Sequence, residues 1–249
     1  MKYSAVARLL GLGVCLSCCL ALAACGEESH RGDIETGSEK ALFIAYAASQ
    51  SSEDLHTIMF TSLQSPVGTL ISILGPYYVE YALDHEYTAP ASVDLSDASL
   101  ELEIPSGITG TLYTTTTDAL YRIEQANSFL ELAGYSNNLG SYSGRVRVGG
   151  ETTNKTSFII NKQTISPTNL TINFTDKNFD KATYSLFSFA YDNSGAYPTY
   201  TFNGNLEVDG SSYGFTNLTY TTTGLNTLSI AGTLSYGGDD YAVSGSVTF

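Results

Sequence analysis

Gly204-Asn205-Leu206-Glu207-Val208-Asp209-Gly210-Ser211-Ser212-Tyr213-Gly214-Phe215 is matched 28 residues later by Gly232-Thr233-Leu234-Ser235-Tyr236-Gly237-Gly238-Asp239-Asp240-Tyr241-Ala242-Val243. Both segments follow Gly-x-Leu-x-x-x-Gly-x-x-Tyr, and each predicts one β-hairpin. Asp209-Gly210 and Gly237-Gly238 tolerate the positive φ angles of a two-residue primed turn. Such a turn dictates the register. Val208 then faces Ser211, Leu206 faces Tyr213 and Gly204 faces Phe215; in the second copy Leu234 faces Tyr241 and Gly232 faces Val243. Each hairpin gains an apolar pair on one face, and a large side chain is expected to cover the neighbouring glycine.

The alternation extends upstream. From about Ser92 apolar residues recur every second position: Leu100, Leu102 and Ile104; Ile108, Gly110 and Leu112; Tyr121 and Ile123; Leu130 and Leu132. Tyr142, Gly144, Val146 and Val148 form a weaker third copy of the repeat, ending in Gly149-Gly150. Residues 183–191 are apolar on both faces, as a central strand would be. The chain closes on Tyr241, Val243, Gly245, Val247 and Phe249. The expected fold is mainly β, an antiparallel meander of roughly ten to twelve strands. One face is apolar and the other is Ser, Thr, Asn and Gly. Such a sheet must curl into a strongly curved or barrel-like form, pair with a second sheet, or pack on another element.

Residues 39–90 supply that element. Ala41 to Ala48 suits a helix capped by Ser38, and Leu55, Ile58, Met59 and Leu63 follow helical spacing behind an acidic first turn. Pro66 is expected to break this run. Val67, Leu70, Ile71 and Leu74 resume it as far as Gly75-Pro76, and Tyr77 to Asp84 suits either helix or strand. Two or three short helices against the sheet of residues 91–249 result.

At the other end, Lys2 and Arg8 precede an apolar run from Leu9 to Ala24, a secretory h-region rather than a spanning helix. It ends in Leu22-Ala23-Ala24-Cys25-Gly26. These residues resemble the bacterial lipoprotein signal, whose lipobox reads Leu-Ala/Ser-Ala/Gly-Cys, and all four positions match. The resemblance covers residues 1–26 and implies nothing about the mature fold. It implies a signal peptide over 1–24, diacylglyceryl transfer to the Cys25 sulfur and cleavage before it, and an acylated cysteine with a polar tether over 25–38. Two or three acyl chains anchor stably where one is marginal. Gly26, rather than Asp, after the cysteine favours the outer membrane by analogy with the enteric sorting rule. Cys15, Cys18 and Cys19 leave with the signal, so the mature chain has no internal disulfide and no thiol site for metal.

Removing Lys2 and Arg8 leaves 9 basic residues against 25 acidic ones, from a chain whose formal charge is −14 over 249 residues. Acid excess excludes nucleic acid as an expected partner, since phosphate contact needs clustered Lys or Arg. It is also repelled by anionic headgroups, so the expected membrane partner is reached through the Cys25 lipid alone.

No catalytic set emerges. Gly210-Ser211-Ser212-Tyr213-Gly214 fits the pattern of a nucleophile elbow but lies on a hairpin, where an elbow needs a strand followed by a helix. His30 falls in the tether, His56 on an expected helix, and His85 between Asp84 and Glu86 in a polar loop. Asp239-Asp240 and Asp192-Asn193-Ser194-Gly195 have turn composition without calcium-loop spacing. Arg31-Gly32-Asp33 is a three-residue match in a tether. No cofactor or metal is expected, and the chain is not read as an enzyme. The leading expectation is a lipid-anchored binding or structural module of the cell envelope, with a protein or apolar small molecule as ligand. The alternatives are a carrier of lipid in a curved half-barrel and, from the alternating last strand that ends in Phe249, a lipidated outer-membrane barrel.

Overall fold

In the computed structural model, residues 63–84, 86, 91–96, 103–116, 121–154, 159–175, 180–224 and 227–248 are described. They form one helix, α1 (Leu63–Asp84), and eleven strands in a single curved antiparallel sheet. The strands are β1 (Ser92–Asp94), β2 (Ile108–Thr116), β3 (Tyr121–Ile123), β4 (Phe129–Ser136), β5 (Gly140–Asn154) and β6 (Ile159–Phe174), then β7 (Lys181–Asp192), β8 (Thr199–Val208), β9 (Ser211–Gly224), β10 (Thr227–Tyr236) and β11 (Asp239–Thr248).

Neighbours in sequence are neighbours in the sheet, as a meander requires. The exception is that β3 and β4 share one place between β2 and β5. Residues 124–128 leave the ladder there as a turn. Ser128 replaces the missing ladder bonds: its Oγ accepts the Tyr113 amide at 2.9 Å, and its carbonyl accepts the Val148 amide at 3.2 Å.

Both repeat hairpins have the expected register. Val208 pairs Ser211, Leu206 pairs Tyr213 and Gly204 pairs Phe215; Leu234 pairs Tyr241 and Gly232 pairs Val243. Asp209, Gly210, Gly237 and Gly238 have φ of 47°, 84°, 65° and 90°. Both turns are thus primed, matching the right-handed strand twist. Asp209 does more than tolerate its angle: its carboxylate accepts the Lys181 amide at 2.8 Å, tying the turn to the start of β7.

The glycines of the repeat have a cause that the sequence reading did not include. What a side chain at Gly204 or Gly232 would meet first is backbone. A Cβ on Gly204 would strike the Leu186 carbonyl and the Phe187 Cα of β7, and one on Gly232 would strike Asn217 and the Leu218 Cα of β9. Both have positive φ, 100° and 130°. In each case the facing strand carries a bulge, marked by a register shift in the adjoining ladder, and the positive-φ residues Leu186 and Asn217 sit in those bulges. The extra residue pushes backbone into the neighbour, where only glycine leaves room. Gly144 of β5 meets β6 in the same way. Bulges and glycine kinks bend a sheet, so the repeat encodes curvature as well as turns.

The bulges also correct the reading of residues 183–191. β7 has a middle place in the sheet, yet it is not apolar on both faces. Its parity switches at Leu186, which is 83% exposed, and this puts Phe187 (1%) and Phe189 on the face of Tyr184. Two further expectations change. β5 does not end at Gly149-Gly150 but runs through them to Asn154. Glu103 and Ile104 are not strand, and Leu100 and Leu102 lie outside the described residues.

α1 is one helix through both prolines. Pro66 is the fourth residue of its described span and Pro76 lies mid-helix. The i−4 bond lost at Pro76 is offset by burial, because Leu63, Val67, Leu70, Leu74 and Tyr78 are all buried at spacings of three and four. The helix expected at Ala41–Ala48 and residues Leu55, Ile58 and Met59 of the next run lie outside the described residues, while Leu63 of that run is the first described residue of α1. The α1 stripe joins the inward residues of the sheet in one core.

Candidate apolar site

α1 crosses the inner face at β2–β6. Its Val67, Leu70, Leu74 and Tyr78 face Leu112 of β2, Tyr121 and Ile123 of β3, Leu130 of β4 and Val148 of β5 across a cavity of about 40 Å³. Gly149, Gly150, Glu151, Thr152 and Gln163 complete the lining. A Cβ on Gly149 would meet Gln125 Cβ and Thr164 Oγ1 at 2.7 Å. The walls are almost wholly apolar, and two of the few polar side chains are hydrogen-bonded. Gln64 Nε2 donates to Gln163 Oε1 at 2.9 Å, and Thr152 Oγ1 accepts the Tyr121 amide at 3.3 Å. A space of this size is far below the roughly 300–1,000 Å³ of a ligand pocket. A larger apolar guest needs α1 to swing outward.

Two polar ties hold α1 at its described N-terminal end. One is Gln64 to Gln163. The other is Asn137 Nδ2, which donates to Ser65 Oγ at 2.6 Å, while Asn137 Oδ1 accepts the Leu139 amide at 2.8 Å. Farther along, Tyr78 packs on Tyr121 with centroids 6.2 Å apart.

Burial governs the tyrosines around this site. It raises the Tyr142 hydroxyl to about 12 against the ordinary 10.0, a shift that the Asn137 hydrogen bond opposes. Tyr78 and Tyr184 are raised as well, again mainly by burial. The folded state therefore holds these protons more tightly than the unfolded chain does. Their contribution is complete below about pH 10, where both states are protonated. It is lost as pH rises from there through the folded values, because the unfolded chain ionises first. Equilibrium unfolding is expected to show stability falling between about pH 10 and 12, with Tyr142 alone accounting for about 3 kcal/mol. Tyr142→Phe should flatten that slope; an unchanged slope in Tyr142→Phe would contradict the assignment.

Of the residues singled out for chemistry, Cys25, His30, His56, His85 and the Arg31-Gly32-Asp33 triplet lie outside the described residues. Ser212 is exposed on β9 opposite Glu207, with strand on both sides of its turn, which is no elbow. Asp192 Oδ1 accepts the Ser194 amide at 2.8 Å and the Ser194 hydroxyl, bonds that hold its carboxyl below the usual range. Asp240 accepts from the Ser235 hydroxyl. Both carboxylates are thus used by their own turns. No group of His, Cys, Asp and Glu suited to a metal occurs among the described residues. Sequence periodicity had marked the apolar walls. It had not marked Gln64, Asn137 or Gln163, which pair across 99 and 72 positions of chain and have no local signal.

Comparison of the chain with protein-family models, with curated proteins and with solved structures found no match.

Proposed function

We propose that this chain is a membrane-anchored bacterial lipoprotein, and that its β body is a non-catalytic binding or structural module of the cell envelope. The observation that carries the proposal is the complete lipobox Leu22-Ala23-Ala24-Cys25 behind a basic and then apolar leader. The direction of the sheet supports it. Large apolar side chains of β2–β10 face the core, while the surface carries cross-strand ion pairs such as Arg122–Glu151 at 2.9 Å and Lys162–Asp192 at 3.8 Å. A lipidated transmembrane barrel would turn its apolar residues outward to lipid, so the arrangement favours a tethered body over that alternative.

Labelled palmitate fed to cells expressing the full chain is expected to enter the wild type and not Cys25→Ser. With a cleavable signal supplied, Cys25→Ser should move wholly to the aqueous fraction. Retention of that variant in the membrane through carbonate washing would favour the barrel and end the proposal.

The apolar lining under α1 motivates one second reading, a carrier of an apolar guest, which requires α1 to open as a lid because the closed cavity is only about 40 Å³. Native mass spectrometry of the protein from membranes is expected to show a co-purifying lipid if that holds. A mass equal to the processed chain alone would exclude it.

A further inference from the structure

β11 ends the sheet, and among the described residues it is paired on one side only. Its ladder with β10 is unbroken from Thr227↔Thr248 to Tyr236↔Asp239, whereas the β7–β8, β8–β9 and β9–β10 ladders each carry a register shift. Tyr236 and Asp239 close a two-residue turn, so they are a hydrogen-bonded pair and the odd-numbered residues of β11 bond to β10. The side chains of Ser235 and Asp240 meet across the intervening pair, as that alternation requires. The even-numbered residues Asp240, Ala242, Ser244, Ser246 and Thr248 therefore direct their N–H and C=O groups to the free edge.

An edge of this length is usually blunted by Lys, Pro, a bulge or shortness. The opposite edge, β1, is three residues long. β11 has no Lys, Arg or Pro and no bulge. Its exposed side chains from Ala242 to Ser246 are Ala and Ser, too small to obstruct an approaching strand.

We propose that β11 pairs with β11 of a second copy of this chain, antiparallel about a two-fold axis at Ser244, joining two sheets into one. The small exposed side chains of Ala242, Ser244 and Ser246 fit a second copy of the same edge, against the mutual repulsion of two acidic chains, and charge bears on the direction. The only charged side chains on β11 are Asp239 and Asp240 at one end. An antiparallel copy sets Asp240 opposite Thr248, whereas a parallel one would set Asp against Asp. The register also places Ala242 opposite Ser246 and Val243 opposite Gly245, so the inward residues of both copies stay on one face. An isologous contact of this kind closes at two copies. The inference does not depend on the lipid anchor.

Sedimentation of the full chain in detergent at micromolar concentration tests it. A dimer is expected, strengthened by added salt because each copy carries a formal −14. Ser244→Cys should form a disulfide-linked dimer under mild oxidation, since paired Cα atoms at such a position lie about 5.5 Å apart. Asn205→Cys, exposed on β8, should not exceed the collisional level. Ala242→Lys should raise the dimer dissociation constant at least tenfold while leaving the circular dichroism unchanged. A monomeric wild type overturns the proposal, including one in which amide exchange shows the even-numbered β11 residues protected by the chain itself. So does Ser244→Cys linking no faster than Asn205→Cys, or a dimer that Ala242→Lys leaves intact.

Discussion

Gly204→Ala is expected to lower the stability of the folded chain by about 4 kcal/mol, against a typical point-mutant cost near 1 kcal/mol. Two effects add. At φ of 100° the backbone sits where an L side chain is strained, at a cost of about 1–3 kcal/mol. The new Cβ also meets the Leu186 carbonyl and the Phe187 Cα, which are backbone atoms of β7 and cannot rotate aside. Relief requires β7 to shift, which in a packed core costs about another 1–3 kcal/mol. Gly210→Ala separates the two effects. Gly210 has φ of 84° but nothing within 4 Å of its Cβ position, so only the first applies, at about 1–3 kcal/mol. Urea unfolding of both variants checks the pair. Equal losses would mean that the bulge of β7 does not press on β8.

Phe187→Ala is expected to cost about 3–5 kcal/mol, the range for removing a fully buried phenylalanine. Its ring lies edge-on to Tyr184 and Phe215, with centroids at 5.3 Å and 5.7 Å, and contacts Phe202 at 6.4 Å. The neighbouring Leu186→Ala should change stability by less than about 0.5 kcal/mol, because that side chain is already in water. The contrast between adjacent large apolar residues follows from one extra residue in β7. If Leu186→Ala proved the costlier of the two, the parity of the strand would be reversed.

These two positions also mark where the sequence was legible. Turn chemistry at Asp209-Gly210 and Gly237-Gly238 is local, and so the register of both hairpins could be read from the dipeptides and the flanking alternation. The bulges at Leu186 and Asn217 could not. Neither carries the glycine that advertises positive φ; the glycine stands on the facing strand, at Gly204 and Gly232, where it resembles an ordinary interruption. That displacement made 183–191 look apolar on both faces. In α1, local propensity pointed to stops at Pro66 and Gly75-Pro76, and tertiary burial of Leu74 and Tyr78 on either side of Pro76 overrode it. Of the candidate apolar site, Val67, Leu70 and Leu74 were visible as a helical stripe, and Leu112, Leu130 and Val148 as strand positions. Their convergence was not, since it depends on where the helix lies across the sheet. The polar ties Gln64–Gln163 and Ser65–Asn137 join distant segments of ordinary polar composition.

The repeated hairpins place Leu206, Phe215, Leu234 and Val243 on one inward face, and the register at their turns tests this most directly. In an antiparallel ladder the pairs not joined by hydrogen bonds bring their Cα atoms to about 4.5 Å, close enough for strong nuclear Overhauser contacts between α-protons. Those pairs next to the two turns are Glu207 with Ser212 and Ser235 with Asp240. Contacts between these α-protons are the predicted result. Contacts displaced by one residue, Glu207 to Ser211 or Ser235 to Tyr241, would turn Leu206 and Leu234 to solvent and contradict the fold described here.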